Sequence, residues 1–370
     1  MTSAGAVNTE VVAFQDGDGP WQVVTGENGL YSFSVKGPRF SIASACTVSG
    51  GGLSDVRLRY STLTDGTSLV NDGGCAELAA PTVNVGGTVA NLPVGAQFRA
   101  SSGRSTSTTQ PWTMPARPGP GTLLAFAEVS QRPTSIVLQP VNYAEASAFA
   151  IDFATGFVPA EMAFTPDPTA NLQTFASWFR DPQGGVHRID VPSEATGSYR
   201  AIPANLVGAG VSWLSASASA AGLERTLERA FKTPVAQTLT LPAAYALAAS
   251  PQVVANAPYP VIEANLPLRA GATYYSLRYR SSESRTSLHR WELTVTAAWA
   301  GSSTGAELRL RLPDLSAAPG WKAEYALTAG ATWEAAVYAA PPRFIPWNSL
   351  EPQLVDGEQL SSASASGTVR

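Results

Sequence analysis

Few side chains in this chain of 370 residues are equipped for chemistry, and their spacing restricts what they can do. The sequence holds two Cys, two His and three Met. Cys46 and Cys75 stand too far apart for a CxxC metal or redox motif. His187 and His289 are too few to complete a zinc site with two distant cysteines. Such sparing use of thiols favours an oxidising compartment and a disulfide between Cys46 and Cys75, with two buried free thiols as the alternative. The bridge would close a loop of about 30 residues, a constraint of roughly 3.5 kcal/mol in the chain-entropy picture.

Gly301-Ser302-Ser303-Thr304-Gly305 has the outline of a GxSxG elbow. That elbow needs a strand before it, a helix after it, and an acid and a His downstream. Here a strand follows and both His lie upstream, so a loop between strands is expected. Asp16-Gly17-Asp18-Gly19, with Glu27 at the twelfth position, has the outline of a calcium loop. The residues between carry no further carboxylate and read as strand, so a hairpin turn is expected. There is no HExxH, no GxxxxGK[ST], and no GxGxxG opening a helix. His187 and His289 are expected at the surface, and the scattered Asp and Glu identify no glycosidase-type pair. No catalytic residue, cofactor or metal is assigned.

Two groups bear on binding instead. Of nine Trp, Trp291, Trp299, Trp321 and Trp333 fall in register with apolar neighbours and should fill cores. Trp21, Trp112 and Trp347 follow Pro and are expected to be more exposed, where a sugar could stack. Three of the 24 basic residues are Lys (36, 232 and 322), which leaves 24 − 3 = 21 Arg. Arg278, Arg280, Arg285 and Arg290, with Arg309 and Arg311, fall on outward positions near the C-terminus, interleaved with Glu283, Glu292 and Glu307. Cross-strand ion pairs are the default reading of that face. A surface for an anionic polymer or a partner is the sharper one.

The elements that must position these residues are strands. Apolar and polar residues alternate with period two in 30–36, 39–48, 55–60, 274–280, 290–299, 307–312 and 321–327. In 39–48 the pattern turns Phe40, Ile42 and Cys46 inward; in 55–60 it does so for Val56, Leu58 and Tyr60. Gly- and Pro-rich turns separate the runs, which accounts for much of the 32 Gly and 28 Pro. Residues 220–231 could be a helix, but a strand returning through a turn at Gly222 fits better. Residues 121–140 and 223–242 share a strand–Pro–strand grammar, 243–260 reads as a linker, and the Ser/Ala-rich end reads as mobile.

The fold class is therefore all-β: antiparallel β-sandwich modules in series, with a single larger assembly such as a propeller as the alternative. The expected modules are 1–80 with the disulfide, 81–158, 159–257 and 258–345, followed by an extension and tail at 346–370. A charged fraction of 14% and a net charge of −4 leave no large basic face, which disfavours nucleic acid as a partner. No apolar run of about 18 residues occurs to form a membrane span. The N-terminus shows no signal-peptide pattern, which leaves a cytosolic chain or one whose signal has been removed; the cysteine usage favours the latter.

Asp18, Gly19 and Trp21, then Gly29, Tyr31, Phe33 and Val35, then Cys46 on the next strand, form a pattern over roughly the first 80 residues. It resembles the Ig-like or carboxypeptidase-regulatory-like β-sandwich modules of bacterial secreted proteins and lipoproteins. The resemblance implies an extracellular or cell-envelope location and a non-catalytic accessory fold, and it carries over no active-site residue. The expected function is structural or adhesive, with an envelope component, glycan or protein as partner. Binding of a glycan or anionic polymer is the first alternative and a carboxylate-dependent hydrolase the second. Oligomeric state is left open.

Overall fold

A computed structural model describes residues 10–47, 53–65, 82–193, 197–284, 287–301, 306–341 and 354–370, and it is nearly all β. The N-terminal segment forms β1 (Val11–Asp16), β2 (Gln22–Val23), β3 (Arg39–Thr47) and β4 (Leu53–Thr62). There follow β5 (Val83–Ala90), β6 (Gln97–Ser101), β7 (Thr106–Ser107), β8 (Trp112–Ala116), β9 (Gly119–Val129), β10 (Arg132–Tyr143) and β11 (Ala148–Asp152). The next group is β12 (Ala160–Thr165), β13 (Gln173–Arg180), β14 (Val186–Asp190), β15 (Ser198–Ala201), β16 (Val211–Ala220), β17 (Leu223–Phe231) and β18 (Gln237–Thr238). The last is β19 (Gln252–Ala255), β20 (Val261–Pro267), β21 (Tyr274–Ser284), β22 (Ser287–Thr296), β23 (Glu307–Arg311), β24 (Thr332–Ala339) and β25 (Gln359–Thr368).

Twelve of these strands form one sheet in the order β14-β13-β16-β17-β25-β24-β21-β22-β4-β3-β1-β2. Every pair in it is antiparallel except β22 with β4. The sheet β19-β20-β23 covers its β24-to-β1 half and builds sandwich I. There Ile262, Leu266 and Leu310 meet Val56, Leu58, Tyr275, Leu277, Trp291 and Leu293. The sheet β15-β12-β18 covers the β13-to-β17 half and builds sandwich III, where Phe164, Tyr199 and Leu239 meet Phe175, Leu214 and Leu227. Sandwich II stands between them in sequence. Its sheets β10-β9-β6-β7 and β11-β5-β8 close over Val85, Phe98, Trp112, Leu123 and Ala125. Among the described residues no sheet closes into a barrel or propeller, so separate sandwich layers replace that alternative.

The parity read from 55–60, 274–280, 290–296 and 307–312 is the parity of the core. Residues 122–127, Thr-Leu-Leu-Ala-Phe-Ala, show no alternation because both faces of β9 are buried. Leu123 and Ala125 face the core of sandwich II, while Leu124 and Phe126 pack on Phe179, Ile189, Ile202 and Val207 of sandwich III. The β16–β17 hairpin turns as expected, through Ala221 (φ 51°) and Gly222 (φ 78°). Two consecutive positive φ values are the conformation that matches strand twist in a two-residue turn.

Elsewhere the pattern and the structure part. Residues 30–36 keep their alternation, with Tyr31, Phe33 and Val35 half-buried, but they have no ladder beyond a bridge between Glu27 and Leu30. Phe33 instead stacks on Phe14, with centroids 4.7 Å apart. On β3 the core-facing residues are Ala43 and Ala45, opposite Leu58 and Val56. Phe40 and Cys46 are buried on the other face, so both faces of that strand are covered. Residues 297–300 and 323–325 are single helical turns, not strand. Residues 243–260 are no free linker, since Tyr245 and Tyr259 are buried in the core of sandwich I. β17 pairs with β16 and β25 and does not turn back onto β18, so the shared grammar of 121–140 and 223–242 is not a shared structure.

The two largest departures concern long-range order. Strands from 11–62 and 274–296 pair directly through β4 and β22 and share one core. The Ser/Ala-rich end, expected to be mobile, is β25 at the middle of the twelve-stranded sheet. Ser, Ala and Gly are weak strand formers. Here they are held by main-chain ladders on both sides, which overrides propensity.

Candidate functional site

The side chains best able to do chemistry meet where sandwich II packs on sandwich III. Ser101 ends β6, His187 lies on β14, and Asp181 opens the β13–β14 turn read from Pro182–Gly185. Ser101 Oγ lies 3.0 Å from His187 Nδ1, and His187 Nε2 lies 3.4 Å from Asp181 Oδ2. The backbone N–H groups of Gln183 and Gly185 donate to Asp181 Oδ1 at 2.9 and 2.7 Å. Gly103 N–H donates to Ser101 Oγ at 3.2 Å. A neutral imidazole satisfies the whole chain: the Ser101 hydroxyl donates to Nδ1 and Nε2–H donates to Asp181.

The charges follow from burial. Burial holds the His187 pKa below its ordinary 6.5, partly opposed by Asp181. Burial pushes the Asp181 carboxyl up, but His187 and the Gly185 N–H more than offset it, leaving that carboxyl below its usual range. Nucleophile, base and orienting acid are thus in hydrogen-bond order. They are also sealed, with Ser101 3% exposed and His187 0%. Gly103 and Gly185 form part of that seal. A Cβ on Gly103, whose φ is 80°, would come within 2.6 Å of Gly185 Cα, so only glycine permits this approach of the two sandwiches. In this arrangement the chain is a buried tie across the joint.

Charged groups extend the same joint. Arg132 Nη2 of β10 reaches Asp190 Oδ2 of β14 at 3.0 Å and the Ser198 carbonyl at 3.0 Å. Arg99 of β6 pairs with Glu128 at 2.6 Å and donates to the carbonyls of Arg188 and Ile189. Its guanidinium stacks 3.8 Å from the centre of the Phe126 ring.

A second polar site lies on the side of the large sheet away from core I. Asp55, its side chain 1% exposed, accepts from Arg290 Nη2 at 2.8 Å and from Arg57 Nε at 2.9 Å. Burial raises the Asp55 carboxyl, and the two arginines more than reverse that. Arg278 pairs with Glu292 at 2.9 Å across β21 and β22. Two of the four arginines singled out in the sequence therefore hold carboxylates. Arg280 is exposed on β21, opposite Arg290 in register. Arg285 lies outside the described residues.

At one end of core I, His289 Nδ1 donates to the Glu324 carbonyl at 2.6 Å and stands 3.0 Å from Ser54 Oγ. Nearby, Glu10 accepts from Tyr325 and Thr47 and pairs with Lys322 at 2.5 Å. Partial burial raises the Glu10 carboxyl, but these partners bring it down to about 2. Both histidines are buried, which corrects the expected surface position: each is fixed by hydrogen bonds that a lone imidazole in the sequence does not announce.

Cys46 is buried on β3 with Sγ 3.9 Å from the Asp55 carbonyl oxygen, and Cys75 lies outside the described residues. The Asp16 carboxylate accepts from the backbone N–H groups of Lys36 and Gly37 at 2.8 and 3.1 Å, as a turn would have it. Among the described residues no group of three or more His, Cys, Asp or Glu is placed to hold a metal. Residues 302–305 and Trp347 also lie outside the described residues. Trp291 and Trp333 fill core I as expected, but Trp112, expected to be exposed, is 0% exposed in core II. The joint of Ser101, His187 and Asp181 was missed by sequence reasoning. Its one local signal is the offset of six from Asp181, through Gly184-Gly185, to His187.

No protein-family model matches the chain, and no curated protein matches it. Among solved structures the chain is similar to the Bacillus anthracis TIE protein, at 10% identity and a TM-score of 0.14. The match covers 96% of this chain and 66% of that one. A likeness of that size carries no argument about fold or activity.

Proposed function

We propose that this chain is a non-enzymatic protein of the extracellular space or cell envelope with a structural or adhesive role, and that Cys46 and Cys75 form a disulfide. The observation that carries the reading is how the reactive side chains are used. Ser101, His187, Asp181, Asp190 and Asp55 are all buried in ties between strands or sandwiches. One further fact supports it: the described residues include no free thiol.

The test is made on native protein taken from its source cells. Protease shaving of intact cells should release its fragments, and a thiol reagent applied to the denatured, unreduced chain should find no thiol until reductant is added. Two thiols without reductant, or full protection from protease until the cells are lysed, would overturn the reading.

A further inference from the structure

The joint between sandwiches II and III brings a hydroxyl onto a carboxamide beside a buried carboxylate. Thr122 lies on β9, two residues before Leu124 and four before Phe126, on the face that meets sandwich III. It is 4% exposed, and its Oγ1 stands 3.4 Å from Oε1 of Gln183 on the β13–β14 turn. The same hydroxyl is within hydrogen-bonding reach of the Asp181 carboxylate.

Each of these groups is held in place. The Tyr143 hydroxyl donates to the Thr122 carbonyl at 2.8 Å. The Gln183 N–H donates to Asp181 Oδ1 at 2.9 Å, so the carboxamide and the acid belong to one closed turn. Asp181 Oδ2 faces His187 Nε2, and Ser101 occupies the other ring nitrogen. Thr122, Asp181 and His187 are buried, whereas Gln183 is exposed at the mouth of the turn.

A hydroxyl, an acyl group and a base in this order support acyl transfer. The geometry points to an intramolecular ester between Thr122 Oγ1 and Gln183 Cδ, a covalent staple that links sandwich II to sandwich III. Asp181 takes the hydroxyl proton as Oγ1 attacks Cδ. The electron pair of the Cδ–Oε1 double bond moves onto Oε1 and returns as the Cδ–N bond breaks. The proton on Asp181 passes to the departing nitrogen, which leaves as ammonia. One C–O bond replaces one C–N bond, Asp181 ends ionised as it began, and no oxidant or further reactant is needed. The fold supplies the proximity that makes such a step fast. Burial of Thr122 and Asp181 keeps bulk water from the acyl carbon, and the exposed turn lets ammonia out. His187 is a positioning residue: its Nε2–H orients the Asp181 carboxylate. The inference rests on this joint alone and stands apart from the proposed location and role.

The test is the mass of the denatured full-length protein. The expected chain is lighter than its sequence by one ammonia, and after trypsin the peptide carrying Thr122 is joined to residues 181–188. Mild alkali should open the link and leave a carboxylate where Gln183 carried its amide. Thr122→Ser keeps the hydroxyl and should still form the link, while Thr122→Val should keep the full mass. Asp181→Asn should slow formation by about 100-fold or more, read as the linked fraction in freshly made protein. A folded wild-type chain at its full sequence mass would overturn the inference. So would an ammonia loss mapped to other residues, or a link that persists in Thr122→Val.

Discussion

The joint between sandwiches II and III and the joint between III and I connect similar layers by opposite means. The first is made of side chains. Leu124 and Phe126 reach out of β9 into the hydrophobic cluster around Phe179, with Arg132 on Asp190 and the Ser101–His187–Asp181 chain beside it. The second is made mainly of backbone: β25 ladders on both sides, buries only the methyl groups of Ala363 and Ala365 fully, and adds Leu360 at the edge of the cluster around Trp213 and the Gln359 side chain, which accepts from Arg229. Side-chain joints are specific in shape and costly to disturb at single positions. Ladder joints tolerate almost any small side chain and fail as a unit. One molecule thus contains a joint fixed by its sequence in detail and another fixed mainly by topology.

The sharpest way to break the first joint is Phe126→Ala. It empties a fully buried site and removes the surface on which Arg99 stacks, and it should cost about 3–5 kcal/mol in denaturant titration. A loss below about 1 kcal/mol would mean that the joint is not packed as described. Arg132→Ala is next. It leaves the buried Asp190 carboxylate with the Arg200 N–H but without its ion-pair partner, and about 2–3 kcal/mol of stability should go with it.

At the second joint the expected effects are smaller. Gly367→Ala would bring a Cβ 3.1 Å from the Trp333 ring, so β25 or the ring must give by a few tenths of an ångström. The cost should be about 1 kcal/mol, read as earlier opening of β25 with little change in the unfolding of sandwich II. An equal loss in both regions would show that the joints are one cooperative unit.

How much of this was legible in the sequence differs between the two joints for the same reason. The strands of core I were readable because one face is apolar and the other polar, as Val56, Leu58 and Tyr60 show against Asp55, Arg57 and Arg59. β9 gave up its alternation because it is buried twice, and the neighbour responsible lies some 50 residues away in Phe179 and Ile189. β25 was unreadable because nothing in Ser-Ser-Ala-Ser-Ala-Ser-Gly prefers a strand; its partners are set by where β17 and β24 end up. The arginine face was half legible. Parity put Arg278 and Arg290 outward and suggested ion pairs, but the burial of Asp55 between Arg57 and Arg290 depends on the parallel pairing of β22 with β4.

The smallest effect concerns pH and sharpens the first joint. His187 is held below its ordinary value of 6.5 in the folded chain, chiefly by burial. As pH falls through that value the unfolded chain takes up a proton that the folded chain refuses. Stability is therefore fully present above it and declines as pH drops toward the depressed folded value. Melting temperatures recorded between neutrality and mild acid should fall, and His187→Gln should flatten that slope even if it lowers the whole curve. A slope unchanged by the substitution would remove His187 from the account of the joint.

The central claim is that main-chain ladders carry most of the joint between sandwiches I and III, and native-state hydrogen exchange tests it most directly. The amides of β25 and of the facing edges of β17 and β24 should exchange together through an opening of lower free energy than the one that releases β9. They should do so without exposing core I or core III. If β25 amides exchange only with global unfolding, at the same free energy as β9, the clasp is inseparable from the cores and the account is contradicted.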